Sequence, residues 1–321
     1  MRYMLTRLAG LPLTLVAVSL LTFGILFLVP GDTVDVLAGE SIADPAAKAR
    51  MAAELGLDRP FLVQYADWVW RAAQGDLGMS TSSHRPVAEL IWTRLGVTVQ
   101  LAILGTLISV VIGVAAGFLA LRFRGRLIDR LIMAWAAVGM SIPSFVSATL
   151  IVLGISILLP DLGVVSYVPF SRDPLGSVAS LMFPALSLAV VSGSMFCRYV
   201  QGAGDDIFRN ADYVRTARAK GAGDRRVLAR HVMPNAILPL ITVAGLQFAQ
   251  LLGGSVIAET IFSLPGVGRL VITAIGERDY PVIQGGVLVI TMSYVLLNLL
   301  VDMVYPLVDP RIRVGSNGGR A

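Results

Sequence analysis

The sequence predicts an all-α polytopic membrane protein, and three observations carry that prediction. Apolar residues make up 55% of the chain and charged residues only 15%, well below the roughly 25% charged content of soluble domains. The apolar residues gather into six runs, each long enough to cross a hydrocarbon core as a helix of roughly 20 residues. The basic residues, nearly all arginine, fall on one side when successive connections are assigned to opposite faces. The net charge of +5 is therefore read as membrane orientation, not as affinity for nucleic acid.

The runs are taken in chain order. The first, Ala9 to Val29, follows Arg2 and Arg7 and has the outline of a secretory signal. Its apolar stretch exceeds the roughly 7–15 residues of a signal core and no small-x-small site follows, so it reads as a retained first helix. The second runs from Gly96 to Leu121 and the third from Leu131 to Leu159, with a kink expected at Pro143. The fourth covers Val178 to Val200, the fifth Ala236 to Phe262 and the sixth Ile283 to Val308. Placing the N-terminus in the cytoplasm puts Arg122, Arg124, Arg126 and Arg130, the segment from Arg198 to Arg230, and Arg311 and Arg313 inside. Both termini are then cytoplasmic.

The connection between the first two runs, Pro30 to Leu95, is long and lies outside in this orientation. Its acidic residues, among them Asp32, Asp44, Asp67 and Glu89, balance its arginines. Tyr65, Trp68 and Trp70 fit either a small folded cap of short helices or an interfacial aromatic belt. The expected organisation is residues 1–95 as first helix and extracytoplasmic insert, 96–308 as a five-helix core, and 309–321 as a cytoplasmic tail. The core contains the basic loop, residues 201–235.

That loop is the most informative stretch. Asp212 can cap a helix, Tyr213 to Lys220 are good helix formers, and Gly221 supplies the left-handed residue that ends it. Gly223 and Asp224 give a turn and a second cap, and a second helix from Arg225 is expected to break near Pro234. Charge alone fits an anchor on anionic lipid; the small residues Thr216, Ala217 and Ala219 beside the glycine turn fit close docking to a protein.

Residues Asp212 to Pro239 resemble the cytoplasmic EAA loop of ATP-binding-cassette importer permeases. Arg215, Thr216 and Ala217 occupy the Glu-Ala-Ala slot, Gly221 the glycine slot, and Met233 with Pro234 the Leu-Pro slot. Arg215 and Thr216 depart from the general motif, but the run from Tyr213 to Gly221 is similar to the form common in dipeptide, oligopeptide and nickel permeases. The likeness continues through Pro30-Gly31-Asp32, Leu55 to Asp58, Gly75 to Gly78, Arg85 to Val87, Glu259 to Gly268, Arg278 to Pro281 and Val308 to Arg313. The long outer insert resembles the B-type subunit of that family.

The resemblance implies a heterodimer with a homologous C-type permease, two cytoplasmic ATPase subunits or a fused ATPase, and an extracytoplasmic solute-binding protein, in a bacterial inner membrane. ATP and Mg would sit on the ATPases, with no cofactor on this chain. The ATPase-coupling residues would be Asp212, Tyr213, Val214, Arg215, Thr216, Ala217, Arg218, Ala219, Lys220 and Gly221. The solute would be a dipeptide or oligopeptide, or else a nickel chelate or glutathione. The residues themselves agree in what they lack. There is no Gly-x-x-x-x-Gly-Lys-Ser/Thr loop for ATP, and the single cysteine, Cys197, excludes an internal disulfide and a Cys-based zinc site. An ATPase-independent secondary transporter would need an intramembrane ion site, and a membrane enzyme a catalytic constellation; the sequence shows neither.

Polar residues inside the runs are candidates for a translocation path. Met140, Ser144 and Ser147 in the third run follow helical spacing, with Ser141 nearby, and Gln247, Gln250 and Gly254 in the fifth share a face. Helix–helix contact is the other reading, because small and polar residues are enriched there too.

Overall fold

The computed structural model describes residues 12–24, 44–54, 58–159 and 167–308. The outer ends of the first run, Pro30-Gly31-Asp32, the start of the insert and the tail 309–321 lie outside them. The described residues are helical, apart from turns and one antiparallel bridge between Met79 and Pro86. The helices are α1 (Pro12–Gly24), α2 (Pro45–Glu54), α3 (Phe61–Ala73), α4 (Val87–Arg122), α5 (Leu127–Ser141) and α6 (Ser144–Leu158). There follow α7 (Pro174–Asn210), α8 (Asp212–Ala219), α9 (Asp224–Val227), a π-turn at Leu228–Val232, α10 (Met233–Gly254), α11 (Val256–Ile261), α12 (Val267–Glu277) and α13 (Tyr280–Val308).

Among the described residues three helical segments are long and apolar enough to cross a membrane: Val87–Arg122, Pro174–Asn210 and Tyr280–Val301. Counting each bent pair as one span raises the number to five. α4 starts at Val87, not at Gly96, because Val87, Leu90 and Ile91 bury one face while Glu89, Trp92 and Thr93 stay exposed. At 1.5 Å per residue it is about 54 Å long, far more than a hydrocarbon core of about 30 Å requires.

Two expected spans are broken. α5 and α6 meet at 108°, so the expected kink at Pro143 is a full break. Ile142 (ψ 123°) and Pro143 (ψ 145°) both leave the helical region, since proline donates no N–H and pushes its predecessor toward extended backbone. Each half has 15 residues, about 22 Å at the helical rise, too short to cross alone. The fifth run bends by 43° between Ile237 and Pro239 and breaks again at Ser255, between α10 and α11. The break expected at Pro234 is absent. The π-turn absorbs this proline, with Met233 N–H donating five residues back to the Leu228 carbonyl, and the chain continues directly into α10.

The chain divides into two compact units, Met1–Thr98 with Pro265–Val295, and Val99–Leu264 with Leu296–Ala321. In the first, Phe23 of α1 meets three aromatic rings of α3: Phe61, Tyr65 and Trp68 at centroid distances of 5.5, 5.8 and 5.6 Å. The Tyr65 hydroxyl lies 2.7 Å from Ser19 Oγ. Trp68 is a core residue, 8% exposed and packed with Phe23 and Leu288, while Trp70 is 69% exposed. The two tryptophans therefore have different surroundings, although the sequence offered one pair of readings for both. A second core joins Val87 and Ile91 of α4, Val267 and Ala274 of α12, and Tyr280 and Ile283 of α13.

This unit also holds a buried carboxylate. Asp279, 1% exposed, accepts hydrogen bonds from the Ser80 hydroxyl, from Ser82 Oγ at 3.0 Å and from Ser82 N–H at 3.3 Å. Burial pushes its carboxyl upward, but these donors and the Thr81 N–H outweigh it and hold the group below the usual value. Asp279 thereby pins residues 80–82 to the start of α13.

In the second unit α7 is the central helix, and α5, α6 and α10 pack on it. α4 reaches α7 through Gly113 and Gly117. A Cβ at Gly113 would overlap Phe196 Cβ, and one at Gly117 would stand 2.8 Å from Val200 Cβ. Small residues four apart let two helix backbones approach this closely where lipid supplies no hydrophobic drive.

Candidate functional site

The basic loop is built from the second unit's core outward. α8 begins at Asp212 with Ala211 as its N-cap, and α9 at Asp224 with Gly223 as its N-cap. The two aspartates expected to cap these helices thus occupy the first helical position, and neither helix start has a side-chain capping bond. They favour the positive helix N-terminus instead. Asp212 pairs with Arg215 at 3.6 Å, and Asp224 accepts from Arg218 Nε at 3.3 Å, joining α8 to α9.

The C-terminus of α8 is a Schellman stop. Gly221 N–H donates to the Arg218 carbonyl at 2.9 Å and Ala222 N–H to the Ala217 carbonyl at 3.1 Å. This closure requires a left-handed residue, and Gly221 has φ +84°. The expectation for Gly221 from sequence and its backbone in the structure agree.

Val214 is the apolar anchor of α8, 1% exposed. It joins Val227, Leu228 and Val232 in a core with Phe196 and Val200 of α7 and Leu121 of α4. Ala217 packs against the same core. Tyr213, Arg215, Thr216, Arg218, Ala219, Lys220 and Gly221 are exposed. One face of the loop is therefore fastened to the long helices, and the other presents an aromatic ring, three cations and small residues.

Four polar and aromatic side chains complete this support, and the sequence analysis did not assign them to it. The Arg218 guanidinium lies 4.1 Å from the Phe208 ring centroid, and that of Arg124 lies 5.9 Å from it. Arg124 also pairs with Asp205 at 2.7 Å, and Arg209 pairs with Asp205 at 3.0 Å. Arg124 had been counted only as a positive-side charge, and no local pattern links residue 124 to residue 208.

The path candidates separate into two environments. Ser147 is buried, and its Oγ donates to the Ser187 carbonyl of α7 at 2.9 Å. Gln247 is buried, and its Nε2 donates to Ser192 Oγ, also on α7, at 3.0 Å. These two residues join helices within the chain. Met140, Ser141 and Gln250 are exposed and Ser144 is half-buried at the start of α6. Met140, Ser141 and Ser144 flank the α5–α6 break, and the Ser141 hydroxyl is returned to its own helix at Ala137 O, 2.9 Å away.

Comparison with known proteins bears on this arrangement. Residues 86–314 match the family described as binding-protein-dependent transport system inner membrane component, and residues 1–102 match its N-terminal region. The chain belongs to that family. It is 40% identical over 304 residues to a Brucella abortus permease protein assigned to peptide transport by name alone, covering 95% of this chain and 96% of that one. It is 36% identical to the dipeptide transport system permease protein DppB of Escherichia coli, covering 98% of this chain and 99% of that one. It is 37% identical to the glutathione transport system permease protein GsiC of Escherichia coli, with the same two coverages. Among solved structures, an inward-facing MetNI methionine ABC transporter chain superposes with a TM-score of 0.52 at 20% identity, covering 68% of this chain and 96% of that one. That likeness shows the fold. The chain is a multi-pass permease of the ABC transporter class, consistent with its several long apolar helices.

Proposed function

We propose that this chain is the B-type permease of an ATP-driven importer, forming half of a translocation path for dipeptides or oligopeptides in a bacterial inner membrane. The observation that carries the reading is the geometry of α8: a short helix, stopped by Gly221, with one face locked into the core of α4 and α7 and the other exposed. In this reading the chain has six spans, with both termini and this loop in the cytoplasm and the insert outside. α8 docks into a cleft of an ATPase subunit, where Tyr213 and the small residues fill the cleft and Arg215 and Lys220 meet acidic groups. Two ATPases, or one fused ATPase, hold the ATP and Mg; this chain hydrolyses nothing. A homologous C-type permease supplies the other half of the path, and an extracytoplasmic solute-binding protein delivers solute. ATP binds the two global states of the complex with different affinity, and that difference drives alternating access.

Glutathione, itself a tripeptide, is the second reading, supported by the identity to GsiC. The test is ATP-dependent uptake into proteoliposomes holding the complete complex, with dialanine and glutathione offered separately and then in competition. Uptake of dialanine that requires ATP and the binding protein is the expected result. Uptake without any ATPase subunit would overturn the reading in favour of a secondary transporter.

A further inference from the structure

We infer that Phe208 is the coupling pivot of this permease: its ring passes displacement of the docking helix to the ends of α4 and α7. The inference rests on the reading of α8 as the docking helix and deepens it. α8 is held in two ways that differ physically. The core around Val214, Val227 and Val232 is apolar, so its attraction is non-directional and resists removal of the helix more than its rotation or sliding. The second hold is directional. The Arg218 guanidinium stands 4.1 Å from the Phe208 ring centroid while its Nε bonds Asp224.

From Phe208 the connection runs onward. Phe208 sits in the last turn of α7. The Arg124 guanidinium, two residues beyond the end of α4, lies 5.9 Å from the same ring and pairs with Asp205 one turn earlier on α7. A push on α8 thus reaches α7 through the ring and α4 through Arg124. On the α7 side the relay is shielded, with Asp205 22% and Arg124 31% exposed, while on the α8 side Arg218 is 37% and Asp224 74% exposed. Cation–π and ionic contacts are stronger where water is partly excluded. The ring presents electron density to both cations, each of which is also paired with a carboxylate.

This makes a demand on residue type. A leucine at 208 fills similar space but has no π-face; a tryptophan keeps a stronger one. The experiment uses the complete complex in proteoliposomes and reads ATP hydrolysed per solute imported, with dialanine or glutathione as probe, whichever the wild type imports. Phe208→Leu is expected to raise that ratio several-fold with the ATPases still bound, and Phe208→Trp to hold it near wild type. A leucine variant that couples normally, or a tryptophan variant as poorly coupled as leucine, overturns the pivot. A purely structural role predicts lower yield at an unchanged ratio, which also overturns it. If Phe208→Leu does not assemble, the ratio is read in Arg124→Gln, where a rise supports the pivot and no change overturns it. Docking itself is tracked separately by cross-linking from Ala219→Cys, an exposed position, since the native Cys197 is buried. Absence of any cross-link to the ATPase in the otherwise unaltered complex would sink the docking reading; a cross-link that persists while coupling is normal in Phe208→Leu sinks only the pivot.

Discussion

Replacing Gly221 by valine separates backbone conformation from side-chain contact in the basic loop proposed to dock. Gly221 has φ +84°, and a Cβ placed there would meet nothing within 4 Å. The first added carbon therefore meets no clash inside this chain, and the cost that remains is that of the backbone conformation. Holding a non-glycine residue in the left-handed region costs on the order of 1–3 kcal/mol, with a β-branched residue toward the top. If the Schellman closure must form for α8 to dock, that cost comes out of ATPase affinity. At 1.4 kcal/mol per tenfold, the ATPase should bind about 5- to 150-fold more weakly. Asparagine tolerates the left-handed region better than other non-glycine residues, so the expected affinity order is Gly, Asn, Ala, Val. The assay is a titration of purified ATPase against the permease heterodimer in nanodiscs, with solute uptake measured in parallel. Valine binding as tightly as glycine would refute the conformational argument. Asparagine weaker than alanine would show that side-chain bulk against the partner, not φ, sets the affinity.

Three further outcomes follow from single residues. Asp279→Ala leaves the buried Ser80 hydroxyl without its acceptor, and should lower the stability of the solubilised chain by roughly 1–3 kcal/mol, read as a lower thermal midpoint; an unchanged midpoint would show that the pin is dispensable. Because the folded carboxyl of Asp279 is held below its ordinary value of 3.8, its contribution is complete above that pH and is lost only as pH falls through the lower folded value; a stability change traceable to Asp279 between pH 5 and 7, found by comparing melts of wild type and Asp279→Ala, would contradict this. Ser147→Val and Gln247→Leu should reduce complex yield while uptake per surviving complex stays normal, whereas Gln250→Leu and Ser144→Phe should cut uptake per complex at normal yield. The reverse ordering would show that the buried pair, not the exposed pair, faces the solute.

Hydropathy and helical period made the helix content and the long spans legible, because lipid demands length and apolar composition of every crossing segment. The breaks were less legible. Pro143 marked a bend, but its size depends on Ile142 also going extended, and sequence states that only as a tendency. Pro234 marked a break that the π-turn removed. In the docking loop, Gly221 was readable because few residues take its backbone conformation. The caps were misplaced by one residue at Asp212 and Asp224, because an aspartate suits both the N-cap and the first turn. The path residues show the general limit. Helical spacing puts Ser144 and Ser147 on one face, yet only packing reveals that Ser147 is buried and bonded to α7 while Ser144 is half-buried. Phe208 was invisible for the same reason: its ring partners, Arg218 and Arg124, lie on two other segments.

The loop and the spans meet opposite physical requirements. The proposed docking role requires a segment stiffer than what it moves, and α8 is stiffened by a Schellman stop, a buried valine and a guanidinium that bonds Asp224 and contacts Phe208. The spans, by contrast, are interrupted: the α5–α6 break at Pro143, the bend before Pro239 and the discontinuity at Ser255 all lie in segments packed on α7. Contacts between α4 and α7 through Gly113 and Gly117 bring backbones together with no long side chains to disengage, so the pair can act as one lever. Phe208 stands at the end of that lever, next to the stiff loop. Stiffening a break should then impair transport more than loosening it does. Pro143→Ala, which restores a helical N–H at the break, should lower uptake per complex while raising thermal stability. Higher uptake together with higher stability would show that the break is not a moving part.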